Sequence, residues 1–376
     1  MTHETILFCL NKKKPDTMAP LAKLPKNTND SGAAVAAMFL QASDIPELSR
    51  FLANGFNLPV DCELFSPDVL RWKYLDCRGT ALSSRSLIVR KNGNIIGHVG
   101  LCTTSFIIPG EPPQQIDSVH LIDLLASRDY PTVGLFLMKH AFRKISTQYA
   151  IGMSAEARKI ARILGYRVIC NVPIFCNIIR PLYRLKAEPS TLRKYLGVGK
   201  DLVSVLWSCS RPPQVNLRLC RVDVFGGEIE GIIRACKREW IYTERSKELL
   251  NYFLRYPKGN VTGWLLHEGT IPVGFAILSI SVEGRIRKAK IVDCFLNSGD
   301  PEKWHSAVEA LLQELKGRSV DLITSYATAP EMLQALKNNG FYQRDSTPFY
   351  LRDPSQLIPT NLSFYFMPLE ADHAYL

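Results

Sequence analysis

Apolar and polar positions follow one order along this chain, and that order occurs twice. Residues 86–89 and 95–106 are apolar-rich runs around Asn92-Gly93, which predicts two strands and a tight hairpin. The run 116–126 is mostly apolar, as expected of a strand in the middle of a sheet. After Pro131, Leu135, Met138 and Phe142, with Leu137, Ala141 and Ile145, recur at helical spacing and predict a broad apolar face. A short strand over 149–153 follows. Ser154 is placed to cap a helix over 155–164 that Gly165 stops, and 168–179 returns as strand.

The second passage repeats the first. Residues 261–267 and 271–281 flank Glu268-Gly269, and 290–296 is the next strand. Asp300 can cap a helix over 301–316, 320–326 is a strand, and the helix 330–339 ends at Gly340-Phe341 as the earlier one ends at Gly165-Tyr166. From Gly93 to Gly269 the shift is 176 residues, and from Gly165 to Gly340 it is 175. Two landmarks of different type at a near-constant shift indicate a duplicated domain. Residues 227–245 read as helical, 248–256 echoes 68–75, 186–199 reads as a connecting helix, and 361–367 as a last strand.

The expected fold class is therefore α+β (α/β), with two tandem domains, each a twisted mixed β-sheet flanked by helices. The expected organisation is a flexible tail over 1–32, a first domain over 33–185, a linker over 186–216 and a second domain over 217–376. Pro, Asn, Asp and Lys dominate the tail without a period. Its apolar run, Ile6 to Leu10, is too short for a signal peptide and precedes its basic cluster, Lys12 to Lys14.

Composition narrows the classes. No apolar run is long enough to predict a membrane-spanning helix. The ten cysteines have no C-x-x-C spacing and sit mostly in apolar runs, as reduced thiols of a cytoplasmic protein do. The seven histidines show no metal spacing, so no metal is expected. A net charge of +11 favours anionic partners: a phosphate-bearing cofactor, a nucleic acid or an acidic polymer.

Candidate chemistry falls where strand 116–126 runs into the helix after Pro131. A helix N-terminus offers unpaired N–H groups and a positive dipole end to an anion. In Tyr130-Pro131-Thr132-Val133-Gly134-Leu135, Gly134 lets a phosphate approach the backbone and Thr132 adds a hydroxyl; the plainer reading is a helix start with a packing glycine. Asp123 and His120 are the titratable side chains of the strand. Their odd spacing puts them on opposite faces, so one of them faces a cleft; each can equally be a hydrogen-bonded structural group. Trp72, Tyr74, Trp240 and Tyr242 lie among Arg71, Lys73, Lys237, Arg238 and Arg245, suited to stacking on a ring or to helix packing beside solvated cations.

The repeat of hairpin, central strand, helix, strand, helix and Gly-aromatic ending resembles the GNAT acyltransferase superfamily. Ser127 to Pro131 followed by Gly134, Leu70 to Tyr74, and Leu369 to Tyr375 resemble a tandem subgroup linked to bacterial surface polysaccharides. The resemblance implies an acyl-CoA co-substrate, most simply acetyl-CoA. Its pantetheine would lie beside a splayed strand at Leu124, Leu125 and Ala126, and its pyrophosphate at Tyr130, Thr132, Val133, Gly134 and Leu135. Of the family's loop pattern only Gly134 fits fully, and the usual tyrosine acid is replaced by Ala161 and Leu336. It implies acyl transfer to an amine, such as an amino sugar of a polysaccharide precursor, with Asp123 or His120 as base. In the second domain Asp300 and Glu302 open the corresponding helix and would repel a pyrophosphate, so that domain is expected to shape the acceptor cleft. Two other readings stay open: a Fem-type transferase using aminoacyl-tRNA, and a non-catalytic CoA-binding or scaffold protein.

Overall fold

The computed structural model describes residues 36–76, 84–186, 215–236 and 239–370. The expected tail and nearly all of the expected connecting helix lie outside the described residues. The first unit contains β1 (Ala37–Phe39), α1 (Ile45–Gly55), α2 (Pro67–Tyr74), β2 (Ser86–Lys91), β3 (Asn94–Ile108), β4 (Gln114–Ala126), α3 (Val133–Phe142), β5 (Gln148–Ile151), α4 (Ala155–Ile163) and β6 (Arg167–Ile178). The second contains β7 (Arg218–Val222), α5 (Glu228–Arg234), β8 (Trp240–Thr243), α6 (Lys247–Leu254), β9 (Asn260–Glu268), β10 (Ile271–Glu283), β11 (Ile286–Leu296), α7 (Pro301–Gly317), β12 (Leu322–Tyr326), α8 (Pro330–Asn338), β13 (Tyr342–Arg352) and β14 (Ser363–Tyr365). Among the described residues no helix is long and apolar enough to cross a membrane.

Local signals placed most of these elements. Asn92 and Gly93 turn the first hairpin with φ of 52° and 82°, the left-handed pair that a two-residue turn demands. Ser154 caps α4 by accepting from the Ala157 amide at 3.1 Å, and Asp300 caps α7 through the Glu302 amide at 2.9 Å.

Two expectations need correction. The helical reading of 227–245 covers α5 but also β8, whose Trp-Ile-Tyr-Thr composition favours strand. It pairs in parallel with β14 and antiparallel with β3. Strand β13 was not anticipated, because charged residues and Pro348 interrupt its apolar pattern.

The sheet runs β1-β2-β3-β4-β5-β13-β6-β12-β11-β10-β9-β7. The two repeats exchange their last strands: β13 lies between β5 and β6, and β6 lies between β13 and β12. The β6–β13 register pairs Tyr342 with Cys176 and Leu351 with Arg167. A shift of 175 residues turns one pair into the other, so a pseudo-two-fold axis passes between these strands.

Helices cover both faces of the first unit. Leu48, Leu52, Leu70 and Tyr74 of α1 and α2 pack on Ile88, Ile95 and Ile122. On the opposite face Val133, Leu137 and Ala141 of α3, with Ala161 of α4, pack on Val99, Leu101, Val119 and Leu121. Gly97 permits this contact, since a Cβ there would lie 2.3 Å from Val133 Cγ1. The core of the second unit takes in Val69, Trp72 and Phe175 of the first, so one continuous apolar interior joins the two.

Candidate active site

Strands β4 and β5 pair in parallel only at Val119–Gln148 and His120–Tyr149. Beyond His120 they part, and the β5-facing edge of β4 from Leu121 to Ala126 has no strand partner among the described residues. The fork continues into the loop before α3. There the Val133 amide donates to Tyr130 at 3.1 Å, while the Gly134 and Leu135 amides have no backbone partner among the described residues. Thr132 and Pro131 are exposed, Tyr130 is half-buried beneath the Lys91 ammonium at 4.6 Å from its ring centroid, and Leu135 is half-buried. Gly134 is buried, and a Cβ on it would stand 3.3 Å from Ile160 Cδ1 of α4. Its missing side chain thus serves α3–α4 packing. Leu124 and Ala126 pack with Tyr130, Met153 and Ile160 along this apolar side.

A bulge interrupts β4 at the fork. His98 pairs with Leu125 but Gly100 pairs with Ile122, so Asp123 and Leu124 together face Val99. Asp123 takes the extra step with φ of 47°, a left-handed conformation that Asp tolerates better than most residues. The bulge overturns the opposite-face expectation for Asp123 and His120. One inserted residue restores Asp123 to the α2 side, where Lys73 meets it; His120 lines a cavity on that side with Lys73. Leu125 shares the α1 side, and Leu124 and Ala126 face α3.

The Asp123 carboxylate is largely enclosed. Lys73 Nζ donates to its Oδ2 at 2.6 Å and the Tyr74 hydroxyl donates to the same oxygen. Both charged side chains are 8% exposed. His98 Nδ1 lies 2.9 Å from the Asp123 carbonyl, which can only accept, so Nδ1 carries the hydrogen. Burial alone would raise the Asp123 pKa, but the Lys73 ammonium and the hydrogen bonds from Lys73 and Tyr74 carry it below the usual carboxylate range. Burial pushes His120 down to about 3, with Lys73 adding to the effect, and His98 down to about 4. Both imidazoles are neutral at pH 7.

A cavity of about 70 Å³ opens at the fork, on the α2 side. His120 and Tyr149, the last paired residues of β4 and β5, both line it, and their rings stack at 4.6 Å. Lys73 and Ile122 close it from the first unit, and Thr243, Tyr252 and Glu370 from the second. Sequence reasoning placed Lys73 among solvated cations; it is buried, and its partner is fifty residues away. The aromatic candidates are spent on packing. Trp72 stacks on Tyr252 at 4.5 Å, and Trp240 stacks on Tyr365 at 4.6 Å.

The second unit has a matching fork that is plugged. Strands β11 and β12 pair only over Lys288–Lys290 and Leu322–Thr324. Tyr365 then fills the gap, donating its hydroxyl to the Cys294 carbonyl amid Trp240, Phe295 and Trp304. Asp293, three residues before the end of its strand as Asp123 is, pairs with buried Arg245 at 3.1 Å. Arg245 also binds Glu370, which accepts from Thr243 at 3.0 Å and from the Met367 amide at 2.7 Å.

No protein-family model matches this chain, and no curated protein matches it. Solved structures do resemble it. A GCN5-related N-acetyltransferase from Anabaena variabilis superposes with a TM-score of 0.55 at 11% identity, over 85% of this chain and 72% of that one. N-myristoyltransferase of Saccharomyces cerevisiae, solved with bound myristoyl-CoA, gives 0.56 at 12%, over 91% and 89%. A GCN5-related N-acetyltransferase from Kribbella flavida gives 0.51 at 12%, over 85% and 70%. At these identities the likeness concerns the fold: this chain has the mixed-sheet fold shared by GCN5-related N-acetyltransferases and N-myristoyltransferase.

Proposed function

We propose that this protein transfers an acyl group from acyl-CoA to an amine, using the first unit as the donor site and the cavity between the units as the acceptor site. The observation that carries this reading is the coincidence of the fork with the cavity: the strands part at His120 and Tyr149, and both residues line the cavity. A donor approaching along the α3 side and an acceptor on the α2 side would meet at one point.

In this reading the pyrophosphate lies on the Gly134 and Leu135 amides at the positive end of α3, beside Thr132. The pantetheine follows Leu124, Leu125 and Ala126. Amides at the bulge polarise the thioester carbonyl and stabilise the oxyanion formed when the amine attacks. The C–S bond breaks as the C–N bond forms. The amine proton leaves through cavity water, because His120 is held too far down to accept it, and the thiolate is protonated by solvent, since buried Ala161 stands where the family places its acid. Acetyl is the first acyl group to test, and the amino group of a polysaccharide precursor is the acceptor the resemblance offers. The plug of Tyr365 and Glu370 supports a non-donor role for the second unit.

Calorimetric titration with CoA, acetyl-CoA and myristoyl-CoA tests the donor site, with Thr132→Glu as control. Thr132 is exposed, so the substitution adds a like charge at the helix start without disturbing the core. The expected result is binding by the wild type and affinity about tenfold weaker in the variant. No binding by the wild type, or equal affinity in the variant, refutes the placement.

A further inference from the structure

We propose that Asp123 is a positioning residue: with Lys73, Tyr74 and His98 it clamps the β4 bulge, and the second unit holds that clamp in place. This rests on the acyl-CoA reading and assigns the second unit a part in it.

A left-handed Asp at a bulge persists only where its surroundings fix it. Here the carboxylate is fixed by Lys73 and Tyr74 of α2, and the carbonyl by His98 of β3. Both ends of the residue are thus held, one by a helix and one by the neighbouring strand. The next residues, Leu124 to Ala126, have an unpartnered edge, so the clamp sets where their amides aim.

The anchor of α2 lies in the other unit. The Trp72 indole donates to the Tyr252 carbonyl at 3.2 Å, and the Tyr252 hydroxyl donates to the Trp72 carbonyl at 3.0 Å. The two rings are 11° from parallel. Arg85 ties the Lys73 carbonyl to the Tyr252 hydroxyl. Lys73 therefore stands next to a residue pinned to the second unit by two reciprocal hydrogen bonds.

An internal comparison supports a clamp over a base. Asp293 occupies the corresponding place in the plugged fork and is likewise held by a buried cation, Arg245. That cation enters just before α6, whereas Lys73 sits near the end of α2. A buried pair recurs where no cleft is open, built from a cation at a different point. In β11 the extra residue is Val292, next to Asp293, so in both forks a buried ion pair stands at a bulge.

The test compares the affinities of CoA and acetyl-CoA for the wild type, Asp123→Asn and Tyr252→Phe, alongside hydrogen exchange of the amides in 121–127. Asn keeps the left-handed preference and removes the charge; Tyr252→Phe leaves the first unit's sequence intact. If the clamp aims the amides, acetyl-CoA loses about three- to tenfold of its affinity relative to CoA, the worth of one or two hydrogen bonds. Exchange over 121–127 accelerates in both variants. A merely structural role would weaken both ligands alike. An unchanged acetyl-CoA to CoA ratio, or a parallel loss of both, overturns the proposal while CoA binding still upholds the donor site. Failure of the wild type to bind CoA removes the donor site itself.

Discussion

Lowering the pH should unfold this protein through two histidines that the sheet keeps neutral. His98 is fully buried and His120 is 6% exposed. Burial holds their pKa values near about 4 and about 3, against 6.5 when solvated. The unfolded chain binds a proton at each histidine below pH 6.5, and the folded chain does not until it nears pH 4. Stability contributed by the neutral form is therefore complete above pH 6.5 and lost as the pH falls toward 4. A pH of 5 lies about 1.5 units below the unfolded pKa of each histidine and above both folded values, a loss of about 2 kcal/mol each. The pair loses about 4 kcal/mol, a large share of an ordinary folding free energy of about 5–15 kcal/mol. Urea unfolding at pH 7 and pH 5, for wild type and for His98→Gln/His120→Gln, measures it. The wild type should lose about 4 kcal/mol more than the double variant over this interval. Equal losses in both proteins would show that neither imidazole is held neutral.

Further outcomes concern the clamp and the helix behind it. Lys73→Ala strands the Asp123 carboxylate in a dry site and should cost about 3–5 kcal/mol in denaturant unfolding, whereas Lys73→Met/Asp123→Asn should recover most of that. If the double variant is as unstable as the single, the pair is not coupled. Gly97→Ala drives a methyl group into Val133 of α3 and should cost about 1–3 kcal/mol. It should also weaken CoA binding, because Gly134 and Leu135 move with that helix. Unaltered affinity beside lowered stability would separate α3 from the donor site.

What the sequence made legible was local. Hairpin glycines, helix caps and Gly-aromatic endings act within a few residues, and all lie in the elements they announce. The fork between β4 and β5 was implied by the family resemblance rather than by any local signal in either strand. The missed features depend on partners far along the chain. Strand β13 carries Gln343, Arg344 and Asp345, and it is a strand because β5 and β6 of the other repeat receive it. Two-residue alternation failed at Asp123 because the bulge adds a residue that no pattern of apolar positions marks. Lys73 looked solvated because its counter-charge lies across α2, on β4. The interface between Trp72 and Tyr252 joins residues 180 apart and left no trace in either segment.

The traded strands β6 and β13 have a consequence for the integrity of the molecule. Neither half carries every strand of its own sheet, so neither is a self-sufficient piece. Fragments divided between β6 and β7, made separately and mixed, should therefore rebuild one particle. Of the two forks, Tyr365 stoppers one while the other stays open beyond His120 and Tyr149.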